Sequence, residues 1–197
     1  MKIIGVTGPL GAGKSYVASL ICKRGIPDID TDEVYHMLTD APSECTKRII
    51  NAFGREVMSE NGGIDRKALS GIVFDNPEKL SKLNSITHGC VTEKVEELLE
   101  EYRKKGEEAV VVEVPLMFES GFDRRCDLVV CVVADRETRI SRICERNKMT
   151  PDEAAKRIKS QKDIDFYIAK SSFIVYNNGK EDIDAQIDRL FERISEA

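Results

Sequence analysis

The sequence predicts an α/β protein of three layers, in which five short strands form a parallel sheet covered on both faces by helices. Three observations carry that expectation. Short valine- and isoleucine-rich runs recur along the chain, and stretches with helical spacing separate most of them. The first run leads straight into a glycine-rich turn and then a helix. Right-handed crossovers through the intervening helices would make the strands parallel and bury both faces.

Taken in order, Lys2 to Thr7 reads as a short buried strand. Lys14 to Arg24 follows as a helix with Val17, Leu20 and Ile21 at helical spacing, and Gly25 ends it as a left-handed cap. Ile26 to Asp30 is the second strand. From Asp32 to about Arg103 the pattern is almost wholly helical and contains no convincing strand. Breaks fall at Pro42, Gly54, Asn61-Gly62-Gly63 and Asn76-Pro77. Ala109 to Val114 and Leu128 to Val133 are valine-rich runs of the kind that fill buried parallel strands. Arg136 to Asn147 is a charged helix, and Thr150-Pro151-Asp152-Glu153 opens another through a capping box. Phe173 to Tyr176 is the last strand; Asn177-Asn178-Gly179 turns the chain into a helix with Ile183, Ile187, Leu190 and Ile194 on one face.

The composition limits what such a fold can do. In 197 residues, 41% hydrophobic and 33% charged, a single core with insertions is expected rather than two independent domains. A net charge of −5 argues against broad nucleic-acid binding, which needs a basic surface to displace phosphate counterions. The six cysteines form no C-x-x-C pair and no histidine set at zinc spacing, so they read as reduced thiols of a cytosolic protein. No apolar run is long enough for a signal peptide or a membrane span, and a cytoplasmic location is expected.

The strongest chemical signal is Gly8-Pro9-Leu10-Gly11-Ala12-Gly13-Lys14-Ser15, a full match to G-x-x-x-x-G-K-[ST] between a strand and a helix. In that motif backbone N–H groups wrap phosphate oxygens, the lysine reaches the β/γ-phosphates and the hydroxyl ligates magnesium. This assigns the chain to the P-loop nucleotide-binding class. The loop alone does not say whether phosphate is transferred or hydrolysed. A switch GTPase is excluded by two features. Asn147-Lys148-Met149 is followed by Thr150 rather than the aspartate that grips guanine, and no D-x-x-G occurs.

Transfer to a hydroxyl needs a carboxylate to orient the acceptor and take its proton. Asp28-Ile29-Asp30-Thr31-Asp32-Glu33 sits where the second strand ends, on the carboxyl edge at which open α/β sheets bind ligands. Asp30, with Glu33 three residues on, suits a helix cap. Asp32 is surplus to that cap and is the candidate base.

These segments together resemble the dephospho-CoA kinase family. The likeness runs nearly end to end, through Gly5-Val6-Thr7-Gly8, the loop, Ile29-Asp30-Thr31-Asp32, Ile72-Val73-Phe74, His88 and Val114-Pro115-Leu116-Met117-Phe118-Glu119. It continues through Arg142 with Arg146, Gln161 and Asn177-Asn178-Gly179. The resemblance implies an adenylate-kinase-like fold: a core of 1–31 with 107–147 and 173–197, a helical CoA-binding insertion at 32–106 and a lid at 148–172. It implies ATP and Mg²⁺ as cofactors and phosphorylation of the ribose 3′-hydroxyl of dephospho-CoA, giving CoA and ADP. A kinase for another nucleoside or nucleotide, or a catalytically impaired ATP-binding regulator, would share the loop and fold.

Carried over by position, Asp32, Lys14 and Arg142 are catalytic. Gly8, Gly11, Ala12, Gly13, Lys14, Ser15, Tyr16, Arg146 and Asn177 bind the nucleotide. Asp30, Asp32, Pro115, Leu116 and Phe118 bind the acceptor, and Ser15 with Glu113 holds the metal. Plainer readings stand beside several of these. Glu113 would otherwise be an exposed strand-end charge, and Arg142 and Arg146 a solvated helix face with Glu137 and Glu145. Pro115, Leu116 and Phe118 would serve the core, Asn177 the turn, and His88 receives no chemistry. The chain is expected to act as a monomer on a small-molecule substrate, although the sequence leaves association open.

The chain departs from the family pattern at Tyr16, where threonine is usual, and at Gly89, where proline is usual. In the lid, Tyr167 stands where a basic residue is common and Ser172 where an aspartate is common. Lys156, Arg157, Lys159, Lys162 and Lys170 are candidates to restore the lid's positive charge.

Overall fold

The computed structural model describes residues 1–196. Its order is β1 (Lys2–Thr7), α1 (Lys14–Cys22), β2 (Asp28–Asp30), α2 (Thr31–Thr39), α3 (Glu44–Phe53), α4 (Arg66–Val73) and α5 (Pro77–Lys104). Then come β3 (Ala109–Glu113), α6 (Met117–Ser120), β4 (Leu128–Val133), α7 (Arg136–Asn147), α8 (Pro151–Lys159), α9 (Ile164–Lys170), β5 (Phe173–Tyr176) and α10 (Ile183–Glu196). Single 3-10 turns occupy Arg55–Val57 and Phe122–Arg125.

The strands form one five-stranded sheet in the order β2-β3-β1-β4-β5. The β1–β3, β1–β4 and β4–β5 pairs are parallel, with Val6 opposite Glu113 and Val130, and Val130 opposite Phe173. Pro27 O accepts from Val111 N at 2.8 Å beside β2. The chain therefore builds outward from β1 to one side and then to the other, which makes the end of β1 the topological switch point of the sheet.

Alternation along the strands sends side chains to two layers. Ile4, Val6, Val111, Val130, Val132 and Val175 meet Val17 and Ile21 of α1 and Ile187 and Leu190 of α10. Cys131 and Val133 face the other way, onto Tyr167, with Phe118, Phe166, Ile168 and Ile174 packed around them. The six cysteines are free thiols. Burial pushes Cys22, Cys45, Cys126 and Cys131 up to about 12, so they are poor nucleophiles.

The chain divides into two compact units, Met1–Ile29 with Lys105–Ala197, and Asp30–Lys104. The second has its own core, in which Cys45, Ile49 and Phe53 of α3, Leu69 and Val73 of α4, and Leu83 and Cys90 of α5 pack together. Its helix ends follow the local chemistry. Ser43 and Thr46 form a reciprocal capping box on α3, and Asp65 caps α4 through Lys67 N and Ala68 N. α5 continues unbroken through Gly89.

Several boundaries differ from the sequence reading. β2 is three residues, because Pro27 and its neighbours approach β3 without a full ladder. α1 stops at Cys22, and Gly25 (φ +97°) turns the chain two residues past the C-cap at Lys23. The helical block holds an isolated antiparallel bridge between Met58 and Ile64, closed by the Asn61-Gly62-Gly63 turn. α6 and α9 were not read from the sequence, being too short for a periodic signal.

Tyr167 lies on α9, only 1% exposed and edge-on to Phe166 with ring centroids 5.5 Å apart. It is a core side chain covering Cys131 and Val133. Tyr167→Ala should therefore cost about 3–5 kcal/mol, as other buried aromatic truncations do, measured as a lowered urea midpoint at unchanged slope.

Candidate active site

The loop between β1 and α1 can form because glycine occupies the positions that L side chains avoid. Gly8, Gly11 and Gly13 have φ of +145°, +80° and +94°. A Cβ on Gly8 would strike Val132 O, and one on Gly13 would strike the Asn177 amide. At Gly11 the new carbon would lie 2.8 Å from Arg139 O. The loop is thus pressed between its neighbours at backbone distance.

Every carbonyl from Gly8 to Gly13 accepts a hydrogen bond from within the protein. Lys14 Nζ donates to Gly8 O at 3.2 Å, and Ala12 N to Pro9 O at 3.2 Å. Arg139 Nε donates to Leu10 O at 2.8 Å. Arg142 donates to Gly11 O at 3.5 Å and Ala12 O at 3.1 Å, Asn177 Nδ2 donates to Ala12 O at 2.9 Å, and Val17 N reaches Gly13 O. Engaging the acceptors removes lone pairs that would repel an anion, a requirement for a phosphate cradle. Leu10 N donates in turn to Gln161 Oε1 at 2.8 Å, so the loop tip is held through both its backbone groups.

Ser15, on the first turn of α1, donates from Oγ to Glu113 Oε1 at 2.9 Å. Glu113 ends β3 and is 5% exposed, not the solvated strand-end charge of the plainer reading. A hydroxyl and a carboxylate held together beside a phosphate loop fit magnesium, which takes one or two protein oxygens and fills the rest with phosphate and water. The donors present therefore suit both a nucleotide and its metal.

Arg142 is half-buried, and its Nη2 donates to Asn177 Oδ1 at 3.2 Å while Nη1 serves the loop. It faces the phosphate loop and not Glu145, which accepts from Ser141. Arg146 is exposed, with its Nε on Asn147 Oδ1. Asn177 is buried, and its neighbour Asn178 accepts from Asp135 N at 2.7 Å, tying the turn after β5 to the cap of α7. Tyr16 is 52% exposed on the outer side of α1. Leu116 is exposed and Pro115 half-buried, whereas Phe118 stacks edge-on against Phe166 at 5.7 Å.

Asp30 and Asp32 belong to the helical unit and begin α2. Asp30 Oδ1 accepts from Asp32 N at 2.8 Å and Glu33 N at 3.3 Å, so Asp30 is the cap. Asp32 presents an exposed carboxylate on the first turn. His88 is exposed on α5.

Two loop contacts were not foreseen from the sequence: Arg139 was not singled out there, and Gln161 was named as part of the resemblance without a role. Arg139 lies three residues before Arg142, hence on the same helix face, and that spacing was the available signal. No signal local to Leu10 announces either partner.

The fold and loop together define a P-loop nucleotide-binding protein, built on a parallel sheet with the phosphate loop at its switch point. The model of the dephospho-CoA kinase family matches residues 2–182. A dephospho-CoA kinase of Fusobacterium nucleatum is 39% identical over 195 residues, 98% of this chain and 99% of that protein. Among solved structures, a Thermus thermophilus protein superposes with a TM-score of 0.80 at 28% identity, covering 98% of this chain and 96% of the other. The dephospho-CoA kinase of Campylobacter jejuni gives 0.72 at 30% identity, covering 100% and 98%. The chain belongs to the dephospho-CoA kinase family, and it is a kinase.

The glycine geometry makes an internal comparison possible. Gly25 and Gly13 both have left-handed φ, but a Cβ on Gly25 meets open space. Gly25→Ala should cost roughly 1–2 kcal/mol of backbone strain, and Gly13→Ala clearly more, because its methyl also displaces the Asn177 amide from Ala12. Denaturant unfolding of the two variants, run side by side, checks the order.

Proposed function

We propose that this chain transfers the γ-phosphoryl group of ATP to the ribose 3′-hydroxyl of dephospho-CoA, giving CoA and ADP, the last step of coenzyme A synthesis. The observation that carries the reading is a family match over residues 2–182 of a chain whose phosphate loop has every carbonyl turned to an internal donor.

In this reading the loop binds the β- and γ-phosphates, with Lys14 bridging from Gly8 O to the transferring group. Ser15 Oγ, with Glu113 acting through water, would hold magnesium, which neutralises developing phosphate charge when bound. Arg142, already fixed by Ala12 O and Asn177, would need little reorganisation to meet negative charge at the loop. Asp32 accepts the proton of the 3′-hydroxyl and orients its lone pair, since Asp30 is committed to its cap. Pro115, Leu116 and Phe118 line the acceptor side, Tyr16, Arg146 and Asn177 the nucleoside side, and 148–172 closes as the lid. A cytoplasmic location belongs to the same reading.

The test is coupled ADP release with an acceptor panel at equal concentration. Turnover should require dephospho-CoA, and release no faster than the ATPase background, or faster with another nucleoside, would sink the proposal. Asp32→Asn should fold, bind MgATP and lose on the order of 10³-fold in kcat. Asp30→Asn, by contrast, should act mainly on stability, with kcat changed far less.

A further inference from the structure

Arg139 is 6% exposed, yet it makes no ion pair with a carboxylate among the described residues. Its Nε donates to Leu10 O at 2.8 Å, while Nη2 is buried without a hydrogen-bond partner. A guanidinium stays protonated in proteins, and a buried unpaired charge is unfavourable for the fold that contains it. Burial holds this one below the ordinary arginine value, with the Tyr167 hydroxyl acting in the opposite direction. The other buried side-chain atom without a partner among the described residues is Thr7 Oγ1, immediately before the loop. Arg139 is also backed directly onto the loop, since a methyl at Gly11 would lie within 3.2 Å of its Cα and Cβ.

We propose that Arg139 is a positioning residue for the nucleotide: its Nε fixes the Leu10 carbonyl at the loop tip, and its unpaired positive charge is compensated by the triphosphate bound in that loop. The inference rests on the reading of the loop as an ATP site. It differs from the role of Arg142, whose guanidinium is satisfied by Ala12, Gly11 and Asn177 before any ligand arrives.

Glutamine separates the two functions, because its Nε2 falls at the same place along the side chain as arginine Nε. Arg139→Gln thus keeps a donor for Leu10 O and deletes the charge, whereas Arg139→Met deletes both. Arg139→Lys keeps the charge.

The four proteins are compared by thermal melting with and without MgATP, by MgATP titration, and by steady-state kinetics. For Arg139→Gln the expected result is a higher melting temperature without ligand, a smaller MgATP-induced rise, and a Kd and KM for ATP increased roughly tenfold with kcat changed far less. Arg139→Lys should bind MgATP more tightly than Arg139→Gln, and Arg139→Met should bind it most weakly. A purely structural arginine would not give greater stability and weaker binding in one variant.

If Arg139→Gln binds MgATP as tightly as wild type, the charge has no role and the proposal is overturned. Should Arg139→Gln show no melting transition, the decision passes to Arg139→Lys, and a folded lysine variant as weak as Arg139→Met overturns it equally. Wild-type protein that fails to bind MgATP would overturn the underlying nucleotide reading, and it would do so before any variant is considered.

Discussion

A carbonyl oxygen facing a phosphate repels it, and the rest of the site depends on how this chain disposes of the carbonyls from Gly8 to Gly13. The strand order supplies the donors. β4 lies beside β1, and β5 beside β4, so the segments that leave those two strands emerge next to the loop that leaves β1. They deliver Arg139 and Arg142 from α7 and Asn177 from the turn. β3, on the opposite side of β1, ends on Glu113 beside Ser15. The carboxyl ends of β3, β4 and β5 thus all contribute braces, two of them from the helix that follows β4. This is the physical content of placing a binding loop at the switch point of a parallel sheet.

That placement also sorts charge across the loop. Cations come from the β4 side, where they hold carbonyls and add positive potential, and the buried acid comes from the β3 side, where it holds a hydroxyl. A triphosphate with a divalent cation carries the complementary pattern, negative along the chain of phosphates and positive at the metal. An arrangement with Glu113 among the arginines would have produced internal ion pairs, and the field available to a ligand would have been cancelled. Keeping the two flanks apart costs stability in the absence of ligand, most visibly at the buried guanidinium of Arg139.

What was legible in the sequence follows the range of the forces involved. Strands and long helices are written in local periodicity, and β1, β4, β5 and α7 begin and end where the pattern does. The capping role of Asp30 was legible too, because capping is an interaction over two or three residues. α9 was not, since seven residues do not complete a pattern, and neither was the clamp on Leu10 by Arg139 and Gln161, partners far away in the chain. The acidic character of Glu113 was visible, but its burial was not. It follows from strand pairing that only the assembled sheet creates.

The departures in the segment between α7 and β5 acquire a different meaning from the same geometry. Tyr167 occupies a position where a basic residue is common in the family, which first reads as a loss of positive charge. Here the ring is buried against Cys131 and Val133, a place where a lysine would be desolvated. Ser172 joins the edge of the sheet instead, its N–H donating to Val129 O at 2.8 Å and its hydroxyl accepting from Val129 N. Both residues fasten α9 and β5 to the core. Positive charge is carried elsewhere in the same unit: Lys170 and Lys162 lie over the Phe166 ring at 4.8 and 5.6 Å, and Arg139 acts on the Tyr167 hydroxyl from α7. Beside the uncharged Tyr167 there is thus a cation on α7 that hydrogen-bonds the phosphate loop itself, and a charge fixed next to the loop needs little reorganisation to act on an anion there.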